Sequence, residues 1–280
     1  MIGFIGLGVM GEPMCRNLAA KSGQPILGYD VNPAPLARLR IEAAKSVAEI
    51  GERCDTVLLS LPGIEQVSEV CAALPVRRGS CIVDLSTTTV ALARELHDGF
   101  KNRGIDFADA PVARTRAAAE SGTLAVMVGA TEAVFQRIRP LLAHMGSEIT
   151  HCGGPGAGQA TKLINNMVLF QNVVALAEAL ELAREAGLSP QRLLETLATG
   201  SADSFALRNH GMKALLRDDF PERAYSVEYA LKDLGYALDL AKETALELRG
   251  AQNARAALER AKSAGHGGKY FPVLVKTLGS

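Results

Sequence analysis

The sequence predicts an α/β domain with a doubly wound, mainly parallel sheet, followed by an all-α domain. Residues 1 to about 151 alternate short apolar runs with amphipathic segments, as buried strands and their covering helices do. A glycine-rich stretch, CGGPGAG at residues 152–158, then interrupts the pattern. Beyond it β-branched runs become rare and helical periodicity continues. We therefore expect one domain over residues 1–155 and a second over residues 156–280.

Seven apolar runs in the first half are predicted strands, because each is short and is followed by turn residues or an amphipathic segment. They cover residues 2–5, 25–29, 56–61, 80–85, 105–109, 124–128 and 148–151. In the second half, residues 159–186 contain no glycine or proline, and Gly187 and Pro190 follow. This pattern predicts one helix about 40 Å long. Apolar residues at three- and four-residue steps predict a further helix over residues 227–241.

The size and charge of the chain favour two domains that bind a small molecule. At 280 residues the chain exceeds the usual size of one hydrophobic core. Its 30 basic and 30 acidic side chains cancel, and no run of like charges marks a surface for nucleic acid or an anionic membrane. We therefore expect a small-molecule partner, with neither nucleic acid nor membrane as a partner.

The cysteine, histidine and hydropathy patterns favour a metal-free protein of the cytoplasm. The five cysteines lack a C-x-x-C pair and suit reduced, buried thiols better than disulfides or a zinc site. The five histidines show no paired spacing for a metal ion. The amino-terminal segment lacks the basic region of a signal peptide, and no stretch of about eighteen uncharged apolar residues predicts a membrane span.

A glycine-rich motif, GLGVMG at residues 6–11, matches the pattern G-x-G-x-x-G between a predicted strand and a predicted helix. The first glycine permits a tight turn, the second lets the backbone approach a pyrophosphate, and the third lets helix and strand pack closely. Asp30 ends the second predicted strand, where a carboxylate accepts hydrogen bonds from the adenosine ribose. A carboxylate would repel a 2′-phosphate, and neither Val31 nor Asn32 is an arginine. We predict a Rossmann domain that binds NAD rather than NADP.

Five stretches spread over nearly the whole chain carry further motifs. They are residues 6–14 with Asn17 and Leu18, residues 84–87 (DLST), residues 109–112 (DAPV) with 122–124 (GTL), residues 156–166 (GAGQATKLINN) and residues 232–235 (KDLG). Together they resemble the β-hydroxyacid dehydrogenase family, which includes 3-hydroxyisobutyrate dehydrogenase, tartronate semialdehyde reductase and sulfolactaldehyde reductase. The resemblance implies an NAD-dependent oxidoreductase that acts on a CH–OH group.

The resemblance also implies that Lys162 is the catalytic acid/base, and the chemistry of a lysine agrees with that role. An ammonium group can hold the substrate oxygen, and an amine can take the hydroxyl proton as hydride leaves the carbinol carbon. Asn166 lies four residues further along the predicted helix, on the same face. It can therefore orient the same substrate oxygen.

In this family, the loop after the third strand and the Ser-Thr pair after the fourth approach the cofactor. Here these are residues 61–62 and 86–87, although a helix cap is an alternative role for the two hydroxyl side chains. Lys232 is a further expected contact, and an exposed ion pair with Asp233 is its alternative. The predicted cofactor contacts are Gly6, Gly8, Val9, Met10, Gly11, Asp30, Leu61, Pro62, Thr87 and Lys232.

The chain departs from the family at the substrate motif, which commonly reads Asp-x-Pro-Val-Ser-Gly-Gly and here reads DAPVART at residues 109–115. The Arg114 guanidinium suits an anion, so we expect an altered or additional anionic group on the substrate; exposure to solvent is the alternative. This arginine, its following threonine and the GGPG at residues 153–156 resemble the sulfolactaldehyde reductase branch. At residues 265–270, GHGGKY stands where relatives often carry acidic residues. The predicted substrate contacts are Ser86, Ala113, Arg114, Thr115, Lys162 and Asn166.

The sequence therefore predicts reversible oxidation of a short anionic 3-hydroxy acid, or reduction of its semialdehyde, in a cleft between the two domains. Lys162 and Asn166 are the predicted catalytic residues. Two enzyme alternatives are a sulfonate substrate, as in sulfolactaldehyde reductase, and reduction of an imine or a larger acid on the same scaffold. The presence of Lys162 disfavours a non-catalytic nucleotide-sensing module. Long apolar helices in a small domain leave surface to cover, so we expect a homodimer or homotetramer.

Overall fold

A computed structural model of the protein describes residues 1–222 and 224–278. The chain folds into two compact units, of which the first is Met1–Lys162 and the second begins at Leu163. The division falls six residues inside one long helix, which begins at Ala157.

The first unit alternates strands with helices, as its sequence pattern predicts. Its strands are β1 (Ile2–Ile5), β2 (Ile26–Tyr29), β3 (Glu42–Ala43), β4 (Thr56–Leu59), β5 (Cys81–Asp84), β6 (Asp106–Asp109), β7 (Val112–Ala113), β8 (Leu124–Gly129) and β9 (Gly146–Gly153). Its helices are α1 (Gly11–Lys21), α2 (Val47–Arg53), α3 (Ile64–Ala73), α4 (Val90–Asn102), α5 (Arg116–Ser121) and α6 (Glu132–Leu142), with a short 3₁₀ helix at Leu36–Arg38.

The strands form one sheet in the order β3-β2-β1-β4-β5-β6-β8-β7, and β9 pairs with β8. The pairs from β3 to β6 are parallel, as is the pair of β8 with β9, whereas β8 runs antiparallel to β6 and β7. The predicted fold class is confirmed. The seven predicted strands correspond to β1, β2, β4, β5, β6, β8 and β9. Strands β3 and β7 have two residues each, too few for a periodic pattern to reveal.

Both faces of the sheet are covered, and side chains along β1 show how. Ile2 and Phe4 pack into a core cluster that includes α1 and α6, through residues such as Leu18 and Ile138. Ile5 points to the opposite face and packs into a second cluster, which contains side chains of α2, α3 and α4. This alternation follows from the two-residue period of a strand. The carboxyl ends of β1, β4, β5 and β6 therefore lie along one edge of a rigid, doubly covered sheet.

The second unit is helical. Its helices are the greater part of α7 (Ala157–Glu185), then α8 (Pro190–Leu197), α9 (Val227–Glu243) and α10 (Arg249–Ala261). Two π-helical segments, at Leu207–Leu215 and Lys262–His266, and a 3₁₀ helix at Phe271–Thr277 complete the unit. Two isolated β-bridges, Glu222 with Lys269 and Ser226 with Tyr270, are its extended pairings among the described residues. The helices predicted over residues 159–186 and 227–241 correspond to α7 and α9.

Helix α7 supplies much of the core of this unit. Phe170, Val173, Ala177 and Leu180 are fully buried, and their three- and four-residue spacing places them on one face. By length and composition alone α7 would also be long and apolar enough to cross a membrane, which the sequence analysis did not expect. A buried core helix passes the same test, so its composition assigns no membrane role.

Candidate active site

The glycine motif forms the turn between β1 and α1. Gly6 has φ +92°, and a Cβ atom there would lie 2.2 Å from the Ser60 carbonyl oxygen. A Cβ at Gly11 would lie 2.0 Å from the Gly6 carbonyl oxygen, so both positions require glycine. A Cβ at Gly8 would meet no atom within 4 Å, and Gly8 is exposed. The backbone at Gly8 is therefore open to a ligand, beside the amino terminus of α1, which Met10 caps without a side-chain hydrogen bond.

Asp30 fixes this turn to the end of β2. The Leu7 amide donates to Asp30 Oδ2 at 2.5 Å, and the Asn32 amide donates to Oδ1 at 2.8 Å. Two lone pairs of the carboxylate are thus used by the backbone, and the others are left for further donors. The predicted ribose-binding carboxylate is therefore pre-oriented beside the glycine turn.

An ion pair ties the loop after β2 to the first turn of α1. Arg38 donates from Nε and Nη2 to the two oxygens of Glu12, at 3.1 and 2.6 Å. This hydrogen-bonded arginine lowers the pKa of Glu12. The arginine that follows Asp30 most closely in sequence is thus committed to a carboxylate.

Ser86 joins the loops that follow β4 and β5. Its hydroxyl accepts a hydrogen bond from the Leu61 amide at 2.9 Å, and its own amide donates to Asp84 Oδ1 at 2.9 Å. The cap of α4 is Thr89, whose side chain accepts from the Leu92 amide. Ser86 and Thr87 therefore do not have the helix-capping role that was their alternative.

A buried carboxylate holds the start of α7. Asp109, at the end of β6, has no exposed surface, and its two oxygens accept from the amides of Gly156 and Gln159, each at 2.8 Å. The Gly158 amide is a further donor. A negative charge is favourable at a helix amino terminus, where amide N–H groups have no partner within the helix. Burial nevertheless raises the pKa of Asp109, and the amide donors partly offset that rise.

Two glycines make this approach possible. A Cβ at Gly158 would lie 2.4 Å from the Met127 carbonyl oxygen, and a Cβ at Gly129 would lie 2.5 Å from Asp109 Oδ1. Both distances are far below van der Waals contact. Gly158 of α7 and Gly129 of β8 therefore allow close packing of α7 against β8 and β6.

Gln159 connects the same helix turn to the loop after β5. Its side chain is fully buried, donates from Nε2 to the Ser86 carbonyl oxygen at 2.8 Å, and accepts at Oε1 from the Thr88 amide at 3.0 Å. Asp109 and Gln159 lie within sequence motifs, but neither was predicted to have a role in the site. Both side chains hold backbone groups in place. Residue type and spacing alone do not reveal such a role in the sequence.

Lys162 follows Gln159 by three residues on α7 and is only 8% exposed. A lysine is rarely buried to this extent unless it is paired or functional. The structure thus places the predicted catalytic amine in the interior, on a helix turn that Asp109 and Gln159 fix to the sheet.

Arg114 lies in the left-handed region of backbone conformation, with φ 85°. Its exposed side chain donates from Nη1 to the Thr123 carbonyl oxygen at 2.6 Å and to Ser147 Oγ at 3.0 Å. Ala113 is buried in β7, and Thr115 precedes α5 without a capping hydrogen bond. Arg114 is therefore exposed to solvent, which was the alternative to anion binding, but two hydrogen bonds also orient its side chain.

In the second unit, Asn166 is buried on α7 and donates from Nδ2 to Asp233 Oδ2 at 2.8 Å and to Tyr225 Oη at 3.1 Å. Lys232 Nζ lies 3.1 Å from Asp233 Oδ1, and 5.4 and 5.3 Å from the ring centres of Tyr229 and Tyr236. Tyr225 was not predicted from the sequence, because no motif includes it, and Asp233 was predicted only as the ion-pair partner of Lys232.

Four of the five thiols are buried and are poor candidates for a second site. Cys15, Cys54, Cys71 and Cys81 are buried, and burial raises the pKa of Cys15 to about 12 and that of Cys54 to about 11. Such thiols are poor nucleophiles. Within residues 1–222 and 224–278, no group of three histidine, cysteine or acidic side chains could hold a metal ion.

Two family models together match almost the whole chain. Residues 1–154 match the NAD binding domain of 6-phosphogluconate dehydrogenase, and residues 156–278 match the model described as NAD-binding of NADP-dependent 3-hydroxyisobutyrate dehydrogenase. An NAD-binding domain is therefore present, as the glycine motif predicts.

Relatives over the full length agree with these models. The chain is 34% identical to 2-(hydroxymethyl)glutarate dehydrogenase of Eubacterium barkeri, over 98% of this chain and 93% of that protein. It is 35% identical to 2-hydroxy-3-oxopropionate reductase of Escherichia coli K12, over 88% and 86%. The structure of Mycobacterium tuberculosis 3-hydroxyisobutyrate dehydrogenase with L-serine superposes with a TM-score of 0.92 at 32% identity, covering 100% of this chain and 99% of that one. The chain therefore belongs to the β-hydroxyacid dehydrogenase family and is an NAD-dependent oxidoreductase.

Proposed function

We propose that this protein catalyses the reversible oxidation of a short anionic 3-hydroxy acid to its semialdehyde, with Lys162 as the general acid/base. The observation that carries the proposal is the burial of Lys162 on a helix turn anchored by Asp109 and Gln159. The names of the relatives support the substrate class, since they describe small hydroxy acids and an oxo acid.

The proposed chemistry needs one proton acceptor on the protein. In oxidation the Lys162 amine takes the proton of the substrate hydroxyl, the O–H and C–H bonds of the carbinol break, and a C=O bond forms. Bound NAD⁺ would supply the acceptor for the hydride. In reduction the Lys162 ammonium returns its proton to the aldehyde oxygen. The residue must therefore change its protonation state in every turnover.

The glycine turn and Asp30 fit NAD. Gly8 leaves room for a pyrophosphate, and the Asp30 carboxylate is held where it can accept from ribose hydroxyls. We propose NAD over NADP because Asp30 would repel a 2′-phosphate and Arg38 is already paired with Glu12. The other cofactor contacts remain predictions. They are Val9, Met10, Leu61, Pro62, Thr87 and Lys232.

Ser86, Ala113, Arg114 and Thr115 are the proposed substrate contacts on the first unit. A non-glycine residue in the left-handed region costs roughly 1–3 kcal/mol, so Arg114 occupies its position at a cost in stability. Its two hydrogen bonds use Nη1 and leave other donors of the guanidinium at the surface. We propose that they bind a second anionic group of the substrate. A relative named for a glutarate, a dicarboxylic acid, supports this.

Two alternatives stay open for the substrate: a sulfonate in place of a carboxylate, and an imine or a larger acid. A homodimer or homotetramer remains our expectation, supported by Ile164, Val168 and Leu182, which are apolar side chains of α7 and are 46–71% exposed. A cytoplasmic location and a small-molecule partner also remain expectations.

Replacement of Lys162 tests the acid/base role. Lys162→Ala should lower kcat about 10²- to 10⁴-fold with a confirmed 3-hydroxy acid, because no other group would take the hydroxyl proton. NADH affinity, measured by fluorescence, should change less than about twofold. Lys101→Ala, at an exposed lysine of α4, is the control and should retain full turnover. Retention of full turnover by Lys162→Ala would exclude the mechanism.

Replacement of Asp30 tests the cofactor preference. The native protein should use NADH at least about tenfold better than NADPH in kcat/KM, and Asp30→Ala should narrow that ratio because it removes the repulsion of a 2′-phosphate. Asp98→Ala, at an exposed aspartate of α4, should leave the ratio unchanged. A native enzyme that prefers NADPH would refute the role given to Asp30.

Replacement of Arg114 tests the second anionic group. Arg114→Gly should keep the backbone conformation, because glycine adopts a positive φ without strain, and should lower kcat/KM for dianionic 3-hydroxy acids by about tenfold or more. Activity on monoanionic acids should change little. Arg116→Ala, beside it on α5, should leave both classes unaffected. An equal loss of kcat/KM for monoanionic and dianionic acids would show that Arg114 does not bind the second anionic group.

A further inference from the structure

Three side chains from separate parts of the helical unit meet at Asn166. Asn166 lies on α7, Asp233 on α9, and Tyr225 in the segment before α9. Asn166 and Asp233 are almost fully buried, at 1% and 3% exposed. Tyr225 Oη contacts Asp233 Oδ2 in a short hydrogen bond, so each of the three side chains contacts the other two.

The contacts determine which way the Asn166 amide faces. An ionised carboxylate only accepts hydrogen bonds, so the Asn166 atom beside Asp233 Oδ2 must be the nitrogen. Tyr225 Oη lies next to the same carboxylate oxygen, so the Asn166 nitrogen faces both acceptors on one side. The amide nitrogen of Asn166 is therefore turned towards the interior of the helical unit. The remaining polar atom, Oδ1, accepts from Asn165 Nδ2 at 3.2 Å and has a second lone pair.

Tyr225 completes this arrangement, and its position is fixed by packing. Its ring packs against those of Phe170 and Phe271, with ring centres 5.9 and 5.6 Å away. Burial and the neighbouring carboxylate raise the pKa of Tyr225 well above its usual range. Its hydroxyl therefore stays protonated, donates to Asp233 and presents a lone pair to Asn166.

We propose that Tyr225 and Asp233 are positioning residues that hold the amide nitrogen of Asn166 inward, so that Asn166 offers its carbonyl oxygen to the substrate. This inference rests on the proposed function and on the sequence prediction that Asn166 orients the reacting oxygen. A carbonyl oxygen pairs with a hydroxyl, which carries a proton, and not with an aldehyde oxygen, which carries none. Asn166 thus binds the hydroxy acid and does not bind the semialdehyde through this atom.

The orientation is tested first without turnover, by hydrogen exchange of the Asn166 side-chain amide in ¹⁵N-labelled protein, with Asn166→Ala identifying its signal. The side-chain hydrogen that faces Asp233 and Tyr225 should be protected in the native protein, and Tyr225→Phe should raise its exchange rate about tenfold or more. Tyr270→Phe is the matched control, because Tyr270 is also a partly buried tyrosine whose hydroxyl bonds His210, 2.5 Å away, in the same unit. Rapid exchange in the native protein, or equal effects of the two variants, would overturn the proposal.

Kinetics of the same variants test the consequence for the substrate. Tyr225→Phe should raise KM for the hydroxy acid about threefold to tenfold, because the Asn166 amide loses a hydrogen bond that orients it. The same variant should change KM for the semialdehyde less than about twofold. Tyr270→Phe should change neither KM. Equal shifts in both KM values after Tyr225→Phe would contradict the acceptor role. A native protein that oxidises no 3-hydroxy acid would refute the proposed function, while the exchange measurement would still decide the orientation.

Swapping the amide of residue 166 and the carboxylate of residue 233 should rescue activity. Asp233→Asn alone places two amides side by side and should lower kcat/KM strongly. The double variant Asn166→Asp with Asp233→Asn restores one carboxylate and one amide, keeps an acceptor oxygen at position 166, and should recover at least about tenfold of the loss. A double variant no more active than Asp233→Asn, with both folded by circular dichroism, would overturn the proposal.

Discussion

The carboxylate of Asp109 at the amino terminus of α7 is the interaction on which the site depends. A buried charge is costly, and here amide N–H groups of the first helix turn stabilise it. Hydrogen bonds to a charged group contribute about 1.5–3 kcal/mol each. The same bonds fix the rotation and translation of the helix that carries Lys162. The position of the proposed catalytic amine is thus set by a residue more than fifty positions earlier in the sequence.

Gln159 extends this anchor to the loops beside the glycine turn. Its side chain bonds backbone on both sides of Thr87, and Ser86 in turn bonds the Leu61 amide. The loops after β4 and β5 and the first turn of α7 therefore form one hydrogen-bonded network. In the helical unit, Tyr225 and Asp233 hold the Asn166 side chain, as Asp109 holds the start of α7. Residues with no proposed part in proton transfer thereby position those that are proposed to act on the substrate.

The sequence was sufficient for most of the fold and for the types of residue in the site. Strands such as β1 are continuous apolar runs, and α7 has a helical period bounded by glycine, so both were predicted from local pattern. The role of Tyr225 was not predictable, because its partner on α7 is 59 residues away and no motif includes it. Arg114 was identified by a departure from a family motif, but its positive φ and its hydrogen bonds depend on the path of β7 beside β8.

The most direct test of the central claim is backbone hydrogen exchange over the first turn of α7 in Asp109→Asn, measured together with turnover. The substitution keeps the shape but places an NH₂ group against an amide N–H. We predict that the amides of Gly156 and Gln159 exchange at least about tenfold faster and that kcat falls about 10²-fold, with NADH affinity retained. Asp106→Asn, at the half-exposed ion pair with Arg137, should change none of these. Unchanged exchange and turnover in Asp109→Asn would contradict the account.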